Sequence, residues 1–396
     1  MSADLLVSAL LVSALPGEIR AAVLRDGVLQ DLLILRDTAP VQVGDRFLAK
    51  VGRFDKGLEG AFVDLGLERD GLLPAREVAG PMPPEGSALP VAVIRAPAAD
   101  KGARVSAKRA GASLDDAQGL RAPARLGGGQ GVLTDLMRRA EVSTVVCDDA
   151  DLLRRLRAAV GEEDCAFDLA APTTSLFQVH GVEAEIDALL QPVVTCPGGA
   201  ALLIEPVQTL TAIDVNSARH DGRGGAQAQA RAVNLAAVPE IARQLRLRAL
   251  SGLIVVDFLA LKKPEDRKAV AAALRRAVAD DPEPCQVFGL SPSGLLEMTR
   301  RRGRAPLHEV LCRPCGIGGR GWEKSPETLA YEALRHLAAA ARGHPPNRVT
   351  LKVAPAVAAA LQDGQAAALK AVEERLGGPI ALVADPLVAH FDLVLD

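Results

Sequence analysis

Asp214 in LTAIDVNS and Asp257 in LIVVDFL each interrupt an otherwise apolar run of strand type. A carboxylate in such a strand is costly to bury unless something satisfies it. One stretch of helical type separates the two runs, so the strands are candidate neighbours and both carboxylates can meet at one sheet edge. Paired carboxylates suit a hard divalent cation such as Mg²⁺, with water and a substrate phosphate completing its shell. Asn216, two residues after Asp214, falls on the same side of its strand and can orient a water or a phosphate oxygen. The blander alternative is that each Asp simply ends a strand or pairs with an arginine. Between Arg243 and Arg304 stand thirteen basic and seven acidic residues, a local net of +6. Arg243 and Arg246 share a helix face, and Arg300, Arg301, Arg302 and Arg304 form a dense cluster, whereas Arg275 and Arg276 read as an ordinary solvated face. An acidic pair within a basic field suits a phosphodiester substrate.

Two further constellations bear on ligands. Cys312 and Cys315 form a C-x-x-C followed by glycines that permit the tight turn of a zinc knuckle. Zinc takes four ligands and the chain has no second C-x-x-C, so a histidine such as His308, a distant cysteine, or a second copy of the chain must complete the set. A redox dithiol is the weaker reading, because the pair does not open a helix after a thioredoxin-like strand. Phe62, with Lys56, Lys101 and Arg104, offers one stacking surface and several phosphate contacts, the combination by which small barrels hold single strands. Phe62 also fits an ordinary core position.

These residues need elements to position them. Glu18 to Leu35 reads as two apolar strands joined by Arg25-Asp26-Gly27, a strong hairpin signal, with an earlier strand before it. Between Val41 and Lys108 come five short strand-like runs with glycine-rich turns, as in an oligonucleotide-binding barrel. Residues 109–140 read as a Gly, Ala and Arg rich linker followed by a short helix. From Glu141 to Leu190 there are eleven acidic and three basic residues, a solvated shoulder of −8 over one strand and two helices. After Gly198, strands alternate with helices (the helix between the two aspartates spanning PEIARQLRLRAL), which predicts parallel pairing through right-handed crossovers. The tail reads helix, strand, helix, strand, a small α+β domain.

The whole-chain figures bound the class. With 396 residues, 49% hydrophobic and 24% charged, the chain is globular with room for several domains, and disorder and collagen are excluded. No apolar run approaches the ~20 residues that span a bilayer, and the first fifteen residues lack the basic start of a signal peptide. Six dispersed cysteines do not form the framework of a small secreted domain, so a reducing cytoplasm fits. The formal charge of −3 argues against a wholesale nucleic-acid binder until it is divided into the +6 core and the −8 shoulder.

TLTAIDVNSAR, EIARQLRLRALSGLIVVDFLAL, GLLEMTRRR and the C-x-x-C closely resemble, in that order, the catalytic core of the ribonuclease E/G family, and VGRFDKGLEGAFVDLGLERDGLLP resembles its S1 barrel. The resemblance implies an α/β multidomain protein. Its parts would be a ribonuclease H-like subdomain (1–35 and 109–196) with an inserted S1 barrel of OB type (36–108), a deoxyribonuclease I-like catalytic subdomain (197–305), a zinc-link (306–322) and a small α+β C-terminal domain (323–396). It implies a Mg²⁺-dependent endoribonuclease acting on single-stranded RNA, assembled as a homodimer or dimer of dimers through Zn²⁺ shared by protomers. Position by position, Asp214 and Asp257 match the Mg²⁺ ligands, Asn216 the adjacent catalytic asparagine, Cys312 and Cys315 the Zn²⁺ pair, and Phe62 and Lys101 the barrel's RNA contacts; Arg243 and Arg300 are expected to bind RNA.

The sequence also departs from the family pattern. Leu72 replaces a second barrel aromatic, Ala260 stands where a further aspartate is common, AQAQARAV replaces acidic and threonine residues, and C-R-P-C stands for C-P-R-C. Pro284 replaces the core arginine of the 5′-monophosphate sensor, most of whose other segment is missing between Lys108 and Leu190. Cleavage is therefore expected not to depend on 5′-end phosphorylation. The rival readings are a noncatalytic RNA-binding protein on the same scaffold and a DNA-directed nuclease.

Overall fold

The computed structural model describes residues 8–36, 41, 45–95, 97, 101–110, 121–126, 130–161, 165–170, 175–196, 199–207, 209–217, 225–316, 321–340, 349–388 and 390–395. Strands β1 (Ala9–Leu15), β2 (Glu18–Arg25) and β3 (Val28–Arg36) form an antiparallel meander. Asp26 and Gly27 take φ of 49° and 76°, the left-handed pair that a two-residue hairpin turn requires.

The chain then leaves for a barrel built from β4 (Arg46–Asp55), β5 (Gly60–Asp64), β6 (Gly71–Pro74), β7 (Ala88–Arg95) and β8 (Arg104–Ser106). The order β5-β6-β8-β7-β4 closes because β4 also pairs with β5. A further strand, β9 (Ala124–Leu126), lies inside the stretch expected to be linker. It pairs with β4, Leu126 packs on Leu48, and Arg125 donates to Asp45 at 2.6 Å.

After the barrel come α1 (Gln130–Arg139), β10 (Thr144–Cys147), α2 (Ala150–Val160), β11 (Ala166–Leu169), α3 (Leu176–Val179) and α4 (Val182–Leu189). Strand β10 runs parallel to β1 and β11 parallel to β10, giving the order β11-β10-β1-β2-β3 with the barrel inserted between β3 and α1. Helices α1 and α2 bury one face of this sheet around Leu10, Val12 and Val145. Helices α3 and α4 bury the other around Leu11, Leu24 and Ile34.

The sheet that carries the aspartates contains β12 (Val193–Thr195), β13 (Ala200–Pro206) and β14 (Thr211–Ser217), then α5 (Ala226–Leu247), β15 (Gly252–Asp257), α6 (Pro264–Ala277), β16 (Cys285–Leu290) and β17 (Leu295–Arg300). Its order is β12-β13-β14-β15-β17-β16. Parallel pairing, expected throughout, occurs only between β14 and β15. On one side β12, β13 and β14 follow one another with no helix between them and pair antiparallel; on the other LLEMTR forms β17, folds back on β16 and inserts beside β15 in the opposite direction. Helix α5 begins well before the expected PEI, because its Ala- and Gln-rich first half is helix-forming and Pro239 is accommodated within it.

The remaining elements are α7 (Leu307–Leu311), the hairpin β18 (Cys312–Cys315) and β19 (Gly321–Lys324), α8 (Pro326–Ala340), β20 (Val349–Val353), α9 (Pro355–Gln362), α10 (Ala366–Leu376), β21 (Ile380–Ala384) and β22 (Phe391–Leu395). Strand β20 is central, parallel to β21 and antiparallel to β22. Among the described residues no helix is long and apolar enough to cross a membrane.

Candidate active site

Alternation along β14 and β15 divides their side chains cleanly. Ile213, Val215, Ile254 and Val256 are buried against α5 and α6. Asp214, Asn216 and Asp257 therefore stand on the opposite, open face. The parallel register sets Asp214 directly beside Asp257, at the point where β15 ends. Asn216 Nδ2 donates to Asp214 Oδ2 at 2.6 Å. Asp257 is exposed and Asp214 half-buried, and no described arginine pairs with either. Neither is a structural ion pair, and neither bears the full cost of a buried carboxylate.

Carboxylates on adjacent strands about 4.8 Å apart are close enough to share one cation. Among the described residues no group of three or more His, Cys, Asp or Glu side chains is arranged to hold a metal. The site thus offers two carboxylates and one amide, leaving the remaining positions to water and substrate. This donor set fits Mg²⁺, which keeps several waters and takes phosphate oxygens, better than a metal that demands an all-protein cage.

The loop leaving Asp257 is fastened by two residues whose role the sequence reading missed. Asn234, fully buried on α5, accepts from Leu259 N at 3.0 Å and donates to Leu259 O at 2.9 Å. Gln227 donates to Ala260 O at 3.2 Å and accepts from Lys262 N at 2.7 Å. The two amides lie two helical turns apart on one face, and Asn234 inside the apolar run AVNLAAV was the available signal. Gln227 belongs to the AQAQARAV departure; the glycine-rich residues 218–224 before it lie outside the described residues.

The basic field is smaller than the charge count suggests. Arg300 is a correction: its side chain is 3% exposed and pairs with the fully buried Asp281 at 2.8 Å while donating to Leu250 O at 3.0 Å. It points to the helix side of the sheet with Leu296 and Met298, away from the carboxylates. Arg243 is likewise engaged, with Leu29 O at 2.8 Å, Glu240 at 2.8 Å and Glu185 at 3.0 Å. Arg304 joins Asp31 and Arg246 O. Arg301 and Arg302 are exposed.

On the barrel, Phe62 pairs across strands with Leu72, and Leu72 with Arg104. Lys101 is exposed just before β8. Its loop passes so close to β6 that a Cβ at Gly102 would collide with Asp70 O, which leaves glycine as the residue for that position. Phe62, Leu72 and Arg104 thus form one cross-strand row with a single aromatic in it, and Lys101 lies in the loop before β8.

Cys312 and Cys315 occupy β18, and burial pushes the Cys312 thiol up to about 11. His308 turns instead to Trp322, ring centroids 4.5 Å apart in an edge-on contact. The hairpin supplies two thiols, which is half a tetrahedral zinc site.

A family model described as Ribonuclease E/G family matches residues 116–303. Ribonuclease G of Salmonella typhimurium (strain SL1344) is 27% identical over 487 aligned positions, covering 98% of this chain and 99% of that protein. Ribonuclease G of Escherichia coli (strain K12) is 27% identical over 485 positions with the same coverage. Ribonuclease E of Escherichia coli (strain K12) is 34% identical over 61% of this chain and 23% of its own length. Together with the aspartate-bearing sheet and the barrel, these matches show that the chain is similar to the ribonuclease E/G family, over nearly its whole length in the ribonuclease G relatives and most specifically over residues 116–303.

Proposed function

We propose that the chain is an endoribonuclease that cuts single-stranded RNA at the Asp214–Asp257 edge. The observation that carries this reading is the in-register pair of carboxylates with Asn216 bonded to the first of them. Asp214 and Asp257 would hold Mg²⁺. When bound, the cation supplies charge neutralisation at the phosphodiester and a more acidic water for in-line attack. Asn216 fixes the Asp214 carboxylate through one N–H and keeps its second N–H and its carbonyl oxygen for a water or a phosphate oxygen. Asn234 and Gln227 hold the loop beyond Asp257 and so fix the edge at which the carboxylates meet. Phe62 and Lys101 hold the strand on the barrel by stacking and charge.

In this reading the β11-β10-β1-β2-β3 sheet is ribonuclease H-like, the aspartate-bearing sheet deoxyribonuclease I-like, and the barrel of S1 type. The thiols of Cys312 and Cys315 would hold Zn²⁺ together with those of a second protomer, in a dimer or a dimer of dimers working in the cytoplasm. Pro284 cannot make the bidentate phosphate contact of a guanidinium, so 5′-end phosphorylation does not govern the rate.

The test is cleavage of an AU-rich single-stranded RNA with Mg²⁺, carrying either a 5′-monophosphate or a 5′-triphosphate. Wild-type protein is expected to cut both at similar rates. Asp214→Asn and Asp257→Asn should each abolish Mg²⁺-dependent cutting. Near-normal rates in both variants would overturn the site assignment, and failure of the wild type to cut would favour a noncatalytic RNA-binding role. Zinc content near half an equivalent per chain is expected, and a full equivalent would point to an intrachain site.

A further inference from the structure

The open face of the aspartate-bearing sheet does not end at Asp257. Val255 pairs with Glu297 across β15 and β17, so Glu297 stands on the same side as Asp257, and it is exposed. Beyond it, the register of β16 against β17 shifts: Val287 opposes Met298, and Gly289 opposes Glu297. Phe288 and Gly289 thus face one residue of the partner, the arrangement of a bulge. Both residues of such a pair lie on the side of the residue they oppose. Phe288 accordingly joins Glu297 and the aspartates on the open face, where it is 54% exposed.

The bulge is held from below. Arg275 donates to Val287 O at 3.2 Å and to Phe288 O at 3.3 Å, and Gly289 takes a φ of 122°, a value that favours glycine. An aromatic ring is therefore fixed on the face that carries the carboxylates, two strand spacings across and two residues along from Asp257, roughly 12 Å away. Leu253, 41% exposed on β15, lies on the same side. Glu297 beside the ring repels a phosphate at that spot, whereas the neutral π-face of a nucleobase is suited to it. On the barrel, Leu72 opposite Phe62 leaves one stacking ring in that row.

We infer that Phe288 is a base-stacking platform of the catalytic sheet, seating a base next to the scissile phosphate of single-stranded RNA. This rests on the reading of the Asp214–Asp257 edge as the cleavage site. Phe288 sets which nucleotide is held beside the carboxylates, and thereby contributes to cleavage position.

The experiment uses the full chain and RNA oligonucleotides carrying one 2-aminopurine, stepped through the nucleotides around the mapped cut, with EDTA present so that binding is read without turnover. One position adjacent to the cut should be quenched on binding. Phe288→Ala should relieve that quench and weaken binding roughly 5- to 150-fold, the range for one base on an aromatic ring, and Phe288→Trp should restore both. Unchanged fluorescence and affinity in Phe288→Ala, or a quench that maps away from the cut, overturns the proposal. A change in sedimentation mass with RNA signals unchanged also overturns it, and would make Phe288 a contact between copies. The separate Mg²⁺ assay distinguishes the two readings. A Phe288-dependent quench without wild-type cleavage defeats the nuclease assignment, while cleavage with a Phe288-independent quench defeats the platform alone.

Discussion

Arg300 and Asp281 share a pocket from which water is excluded, and their fates are coupled. Removing one partner of a buried pair leaves the other charge uncompensated, typically at a cost of about 3–5 kcal/mol. Arg300→Ala is expected to lower the free energy of urea unfolding by that order. Arg302, exposed on the same segment, should behave oppositely: Arg302→Ala should stay within about 0.5 kcal/mol of wild type. If Arg302 meets the RNA backbone, its loss flattens the salt dependence of binding. The sequence shows four clustered arginines; only packing separates Arg300, which holds Asp281, and Arg304, which holds Asp31, from the exposed Arg301 and Arg302. On the barrel the same logic gives a gain-of-function variant. Leu72→Phe places a second ring beside Phe62 and should tighten single-stranded RNA binding by roughly 5-fold or more, measured by fluorescence anisotropy.

At the scale of elements, α5 has two tasks: its apolar stripe covers the sheet, and its amides hold the loop beyond Asp257. Asn234→Ala removes both bonds to Leu259 and leaves the N–H and C=O of this half-buried residue without their partner. It is expected to cost about 1–3 kcal/mol per unsatisfied group and to lower kcat more than it raises KM; an unchanged kcat would deny α5 any part in positioning the site. Asn234 was hidden because sequence shows a polar residue in an apolar run without showing what it bonds. Other features were legible for local reasons. Asp26-Gly27 specifies its turn whatever surrounds it, and the alternating apolar residues flanking Asp214 and Asp257 mark strands with one buried face. Three-residue β9 was not legible, since its partner β4 defines it as a strand. Strand β17 was missed outright: LLEMTR mixes polar and apolar residues directly before an arginine cluster, and it becomes a strand by folding back on β16 through a tight turn and inserting beside β15.

At the scale of the molecule, one carboxylate joins units far apart in the chain. Glu18, fully buried at the start of β2, meets Arg20 at 2.8 Å, Arg36 at 2.7 Å and, from α8 of the C-terminal part, Arg335 at 3.1 Å. Arg36 is the last residue of β3, where the chain departs for the barrel, and it also donates to Val310 O at 2.8 Å, just before Cys312. The cluster therefore ties the first sheet, the base of the cysteine hairpin and the C-terminal part together. Burial alone would raise the Glu18 pKa, but the guanidiniums of Arg20, Arg36 and Arg335 outweigh it and bring the value from 4.5 down to about 2. A carboxyl with a depressed folded-state pKa contributes its full stabilisation above the unfolded value and loses it as the pH falls toward the folded one. The window is thus from about 4.5 down to about 2, and at 1.36 kcal/mol per unit the contribution is roughly 3 kcal/mol. Urea unfolding of the wild type should weaken across that window by this amount beyond Glu18→Gln. The variant should be less stable at pH 7, where three buried guanidiniums have lost their common counter-charge, and should converge on the wild type near pH 2. Parallel curves for the two proteins at all pH values would mean that the clamp adds nothing to the joining of these units.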